Sequence, residues 1–262
     1  MKLVKRSIIS GVLIILILSV FISSVNSQLT DIENEKKEVL VKDDILLEVD
    51  FEEYPTNVRV HNRRTAFTVY DGIGELWVNG AHPFSYHNSN IDTYEIFKYN
   101  NMTLKARVCD WLGGELNSAR GSIGWGFSNS YINKPDYSFV WFIYQEGPRF
   151  YPWNGLWVWS RNDCKLTAKK IDGVKIHEFH EYGVDWTPDS YDFYVDGELV
   201  AQITENIIQE NMSIEIWNDN AIWYSPNRNW GRIPVFGWGL IPRFLKVYGP
   251  KLLSMDYLRI SE

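Results

Sequence analysis

"HEYGVDWTPDSYDFYVDGELV" occupies His180–Val200. In its second half Tyr191, Phe193 and Val195 alternate with Asp192, Tyr194 and Asp196. Alternation with a period of two is the pattern of a strand with two unlike faces. Pro188 and Asp189 stand where a turn needs a fixed φ and a side-chain acceptor. Asp196-Gly197 reads as a tight hairpin corner. The stretch therefore predicts strand, turn, strand and turn, with no chemistry of its own.

The same grammar runs outward in both directions. "ILLEVDF", "TAFTVY", "GELWVNG", "MTLKARVCDW", "GSIGWGF", "YSFVWFIYQ", "GLWVWS", "CKLTAKKI" and "MSIEIW" are short runs rich in β-branched and aromatic residues, as is the closing "SMDYLRIS". Gly, Pro, Asn or Asp bound them. No segment keeps a helical period for three turns, "AQITENIIQEN" coming nearest, and no internal repeat is present. So many short strands predict an all-β sandwich or barrel over residues 45–262. Pro226, Pro234, Pro242 and Pro250 punctuate an aromatic segment that is expected to be a structured loop and not sheet.

The start of the chain has a different character. "MKLVKRS" is basic, and an apolar run follows from Ile8 to Val25. Residues 1–27 read either as a signal peptide cleaved after Ser27 or as an uncleaved membrane anchor with Lys2, Lys5 and Arg6 inside. In both cases the remainder is expected outside the cell, touching a membrane only through this segment and only if it is uncleaved. Residues 28–44 form a charged linker of mixed sign. In an exported chain Cys109 and Cys164 are candidates for a disulfide, the alternative being two buried thiols. "NMT" at Asn101 and "NMS" at Asn211 fit the N-glycosylation pattern. The net charge of −7 argues against nucleic acid as a partner.

"HEYGVDWTPDSYDFYVDGELV", with "NMSIEIWND" and "SMDYLRIS" after it in order, resembles glycoside hydrolase family 16. The resemblance is specific from about His177 to Trp217 and at the C-terminus. "MTLKARV", "GSIGWGF" and the opening "LLEVDFEEY" fit the family's pattern more loosely. The resemblance implies a concanavalin A-like jelly roll: two curved antiparallel sheets, with glycan in the concave one. It also implies a catalytic strand bearing Glu-x-Asp-x-Glu. Residues two apart share a face, so one Glu can attack the sugar carbon while the other protonates the leaving oxygen.

The strand in that place here is "YSFVWFIYQEG", and neither of its faces offers a carboxylate before Glu146. Glu146 and Glu215 remain as weak catalytic candidates that would have to meet across the sheet. Glu48, Asp50 and Glu52 repeat the family's spacing, but on the opening strand, where the resemblance implies an outer structural element. The resemblance also matches Asp256 to a place where some relatives hold structural Ca²⁺; no other cofactor is expected.

Trp makes up 12 residues of the chain. Indole faces stack on the C–H faces of sugars. Trp125, Trp141 and Trp217 fall on strands that the resemblance places in the concave sheet, and Trp153 and Trp230 fall in loops at its ends. These five are the candidate glycan-binding residues. The expected function is an exported polysaccharide-binding domain on a glucanase-like scaffold, without hydrolase activity. The alternatives are an endo-β-glucanase-like hydrolase with displaced carboxylates, and a structural cell-surface protein.

Overall fold

The computed structural model describes residues 44–262 apart from 64, 79–86, 111–120, 130–137, 148–151, 163–164, 225–230 and 235–250. The leader and linker expectations, Cys164 and Trp230 lie outside the described residues. Ile45–Glu262 forms one unit, and among the described residues it contains strands and no helix.

The strands are β1 (Ile45–Val49), β2 (Val58–Arg63), β3 (Ala66–Tyr70), β4 (Ile73–Val78), β5 (Asn88–Thr93), β6 (Asn101–Asp110) and β7 (Gly121–Ser128). There follow β8 (Phe139–Glu146), β9 (Gly155–Asn162), β10 (Lys165–Ile171), β11 (His180–Trp186), β12 (Tyr191–Val195) and β13 (Glu198–Ile203). The last are β14 (Ser213–Asp219), β15 (Ala221–Tyr224), β16 (Gly231–Pro234) and β17 (Lys251–Ser261). An eight-stranded sheet runs β13-β12-β11-β6-β17-β4-β3, with β1 also paired to β17. A seven-stranded sheet runs β10-β9-β8-β7-β14-β5-β2. Neighbours in both are antiparallel. This is the expected all-β jelly roll.

The hairpin within His180–Val200 is β11–β12, with Tyr191, Phe193 and Val195 buried as the alternation predicts. Its turn acceptor is Thr187, not Asp189: Ser190 N donates to Thr187 Oγ1 at 2.9 Å, and Asp189 N at 3.3 Å. Asp196 and Gly197 both have positive φ, 52° and 80°. That is the requirement of the two-residue corner whose twist matches the flanking strands. The segment expected to be loop contains a short ribbon, β15 paired with β16, that includes Pro234.

The facing sides of the two sheets share one apolar core, which includes Leu104, Val108, Ile123, Trp125, Phe142, Tyr182, Phe193, Ile216 and Leu253. Polar side chains tie the sheets together at one end. Asn218 Nδ2, from β14, donates to Leu76 O (2.8 Å) on β4 and Lys251 O (3.0 Å) on β17. In return Lys251 Nζ donates to Ser122 O (3.0 Å) on β7 and Asp219 O (2.8 Å) on β14. Asn218 Nδ2 and Lys251 Nζ therefore both meet backbone of the opposite sheet, which is what makes burying these donors tolerable.

Candidate functional site

The outer face of the seven-stranded sheet follows from the register. On β7, Ile123, Trp125 and Phe127 point into the shared core. Their neighbours Ser122, Gly124, Gly126 and Ser128 therefore face outward. Cross-strand pairing then aligns Glu215, Gly126, Trp141 and Trp159 in one row and Trp217, Gly124, Ile143 and Trp157 in the next. Phe139, Trp141, Ile143, Trp159 and Trp217 form a second buried apolar cluster, with Trp153 and Trp157 packed against it.

The two glycines of β7 are what let the indoles lie down. A Cβ on Gly124 would sit 2.0 Å from Trp217 Cη2. A Cβ on Gly126 would sit 2.1 Å from Val140 O and 3.1 Å from Trp141 Cδ1. Phe139 stacks on Trp141 at 3.7 Å between centroids, and Trp141 meets Trp217 at 4.3 Å. Trp153 makes edge contacts with Trp157 (4.8 Å) and Trp159 (5.6 Å).

The candidates named from sequence separate on this geometry. Trp125 is not on the outer face; it lies between the sheets against Tyr182 and Phe142. The correction is one of strand parity, since Gly124 and Gly126 hold the outward positions. Trp141 and Trp217 are on the outer face but are buried to 0% exposure. Trp153 and Trp157 are only partly buried. Trp157 and Trp159 join the candidates only through the structure, although "WVW" at 157–159 carries the signal: both contact Trp153.

Glu146 and Glu215 do not meet. Glu146 shares its side of β8 with Tyr144, whose hydroxyl donates to Glu146 Oε2 at 3.3 Å and whose ring packs on the inter-sheet core. Glu215 is on the outer face, buried, with Asn90 Nδ2 donating to its Oε1 at 2.9 Å. A sheet separates the two carboxyls. On the outer face β8 presents Phe139, Trp141, Ile143 and Gln145. The spaced carboxylates of the opening strand are engaged elsewhere: Glu48 pairs with Arg259 at 2.7 Å, and Asp50 accepts from Glu52 N at 3.2 Å.

Asp256 sits at an irregularity of β17 and pairs with Lys105 at 2.6 Å. Among the described residues no group of three His, Cys, Asp or Glu is placed to hold a metal. Cys109 is buried on β6 opposite Leu252; its pairing with Cys164 involves a residue outside the described set. Asn101 opens β6, with Nδ2 donating to Glu262 O at 3.4 Å, and Asn211 is exposed just before β14.

Lys251 is a buried cation beside this region. Complete burial pulls its ammonium down to about 8, against the opposing pull of Asp219 and Glu146. Burial pushes the Tyr144 phenol up, with the Glu146 carboxylate adding to the effect.

Comparison with known proteins bears on this geometry. Residues 162–224 match the model of glycosyl hydrolases family 16. That span holds the β11–β12 hairpin and β14. Among solved structures, Bacillus licheniformis β-glucanase is similar at 13% identity and TM-score 0.53, over 82% of this chain and 97% of that one. The catalytic domain of an endo-1,3-β-glucanase (laminarinase) from Thermotoga petrophila RKU-1 is similar at 12% identity and TM-score 0.57, over 84% and 98%. Laminarinase from Flavobacterium sp. UMI-01 is similar at 17% identity and TM-score 0.55, over 84% and 100%. Curated protein sequences yield no match. At these identities the likeness is one of fold: the chain has a glycoside hydrolase family 16-like, glucanase-like scaffold.

Proposed function

We propose that this domain acts outside the cell as a polysaccharide-binding module, and that it does not hydrolyse glycan by the two-carboxylate route. One observation carries the reading: the outer face of β8 bears Phe139, Trp141, Ile143 and Gln145, beside an indole cluster, and no carboxylate. Cleavage by that route needs two carboxyl groups, about 5–5.5 Å apart for retention or about 6.5–9.5 Å for inversion. Binding needs aromatic planes with polar neighbours, and this face has both. The partly open indoles Trp153 and Trp157 are the stacking surfaces. Trp141, Trp159 and Trp217 form the layer beneath.

Barley mixed-linked β-glucan and laminarin, titrated against the purified domain, test this. Replacing Trp157 by alanine is expected to weaken binding by about 2 kcal/mol, roughly thirtyfold, with no change in melting temperature beyond a few degrees. No reducing ends should appear. Reducing ends released by wild type and lost in Glu215→Gln would establish a hydrolase instead. A folded protein with no ligand on a broad glycan array would leave a structural surface role.

A further inference from the structure

Residues 172–179 carry the chain from β10, at the edge of the seven-stranded sheet, to β11 in the eight-stranded one. Val174 and Ile176 rest against the shared core, and Ile176 O accepts from Val108 N of β6 at 2.7 Å. The turn of the segment closes where Glu178 N donates to Lys175 O at 2.8 Å. That carbonyl has a second neighbour, His180 Nε2, at 3.2 Å. The other ring nitrogen, Nδ1, lies 2.6 Å from Asp196 Oδ2. Asp196 stands at the corner between β12 and β13, and its Oδ1 accepts from Glu181 N at 2.9 Å. Burial opposes ionisation of Asp196, but the bonds from Glu181 N and His180, with the charge of the imidazole, outweigh it and hold the carboxyl below its usual range.

We infer that His180 is a proton-operated latch: as imidazolium it ties residues 172–179 to the β12–β13 corner, and as neutral imidazole it lets them go. Both of its partners, an ionised carboxylate and a backbone carbonyl, can only accept. A neutral ring has one N–H and satisfies one of them. The carboxylate keeps that proton, because a charge-assisted bond is the stronger. Nε2 then turns a lone pair on Lys175 O, and the segment loses this tie. Histidine is the side chain whose charge ordinarily changes between about pH 5 and 8. The other charged and titratable groups around the ring sit on three elements. In the segment itself Lys175 pairs with Glu178 at 3.2 Å, and His177 Nε2 lies 3.9 Å from the same carboxylate. On β11, Glu181 accepts from the Tyr257 hydroxyl of β17, and the Tyr182 ring is 6.1 Å from the imidazole. On β6, Lys105 pairs with Asp256, and the Arg107 guanidinium lies over the Phe179 ring. Of these only His177 titrates in the same range, so it needs its own control. The inference does not depend on what the domain binds.

Amide hydrogen exchange at about pH 5.5 and about pH 8, on the two sides of the histidine range, tests the latch when read as protection over intrinsic rates. Val108 and Glu178 are the reporters, since their amides donate to Ile176 O and Lys175 O. In wild type both are expected to be about tenfold less protected at the higher pH. Asp196→Asn should reverse that response. Asparagine tolerates the positive φ of the corner. Glu181 N still requires an oxygen, so the new amide presents its NH2 to His180 Nδ1 and is matched by the neutral ring, not by the imidazolium. The reporters should then be better protected at the higher pH. His180→Gln should abolish the response, and His177→Gln should leave it as in wild type. Equal protection of wild type at the two pH values overturns the inference. So does an Asp196→Asn protein that responds in the wild-type direction, or a response that survives His180→Gln and disappears in His177→Gln.

Discussion

Trp217→Ala is expected to destabilise the domain by about 3–5 kcal/mol, the usual range for removing a fully packed indole. Trp217 is 0% exposed, lies against Trp141, and covers the backbone of Gly124. Gly124→Ala should also destabilise, by about 1–3 kcal/mol, because the new methyl would enter the space of the Trp217 ring. The two effects are not independent. With the indole gone the methyl has room, so the double variant should lose about 1–2 kcal/mol less than the sum. Urea unfolding of the four proteins measures the cycle. Additive losses, or a Trp217→Ala variant as stable as wild type, would show that the indole is not packed there, and Trp217 would return to the list of open stacking residues.

Lys251 carries the second large effect. Its ammonium is fully buried and drawn down to about 8 from an ordinary 10.5. Below about pH 8 the lysine is charged in the folded and unfolded chains alike, and its burial penalty is constant. Between about 8 and 10.5 the unfolded chain still holds the proton while the folded one has released it. Stability therefore rises with pH through that window, by roughly 3 kcal/mol at most. The neutral amine still has two hydrogens for the carbonyls of Ser122 and Asp219. Buried tyrosines act the other way. The phenols of Tyr144, Tyr182 and Tyr191 are held protonated chiefly by burial, so the unfolded chain ionises first and stability falls as pH climbs past about 10. The expected profile climbs from pH 8 to near 10 and then drops. Lys251→Met should abolish the climb and keep the drop. Methionine also leaves both carbonyls without their donor, so the variant is expected to be less stable at every pH, by about 3 kcal/mol or more. Equal slopes between pH 8 and 10 in the two proteins would refute the assignment.

Much of the architecture was written locally. The alternation of Tyr191, Phe193 and Val195 predicted a half-buried strand, and the Asp196-Gly197 corner predicted the hairpin, because strand faces and turn dihedrals depend on a few adjacent residues. β5 was not legible. "NSNIDT" has one apolar side chain, Ile91, in the core and otherwise reads as turn composition. It becomes a strand because β14 and β2 pair with it on either side. The missed strand supplies Asn90 and Asp92, which pair with Trp217 and Glu215, so these neighbours of the indole cluster were invisible along with it.

From sequence, then, came the all-β class, the hairpins, the family-like order of strands and the lack of a carboxylate on "SFVWFIY". These follow from composition and period. Which way each strand turned its faces was decided by tertiary pairing. Trp125 and Trp141 look alike as aromatic positions on strands, yet one fills the space between the sheets and the other lies on the outer face over Gly126. Glu146 and Glu215 looked like possible partners and are separated by a sheet. Lys251 reads as an ordinary surface lysine at the head of a strand, and it is buried because β7 and β14 close over it with two carbonyls. Burial and cross-sheet bonding depend on residues distant in the chain, and no local pattern records which of two faces a neighbouring sheet will cover.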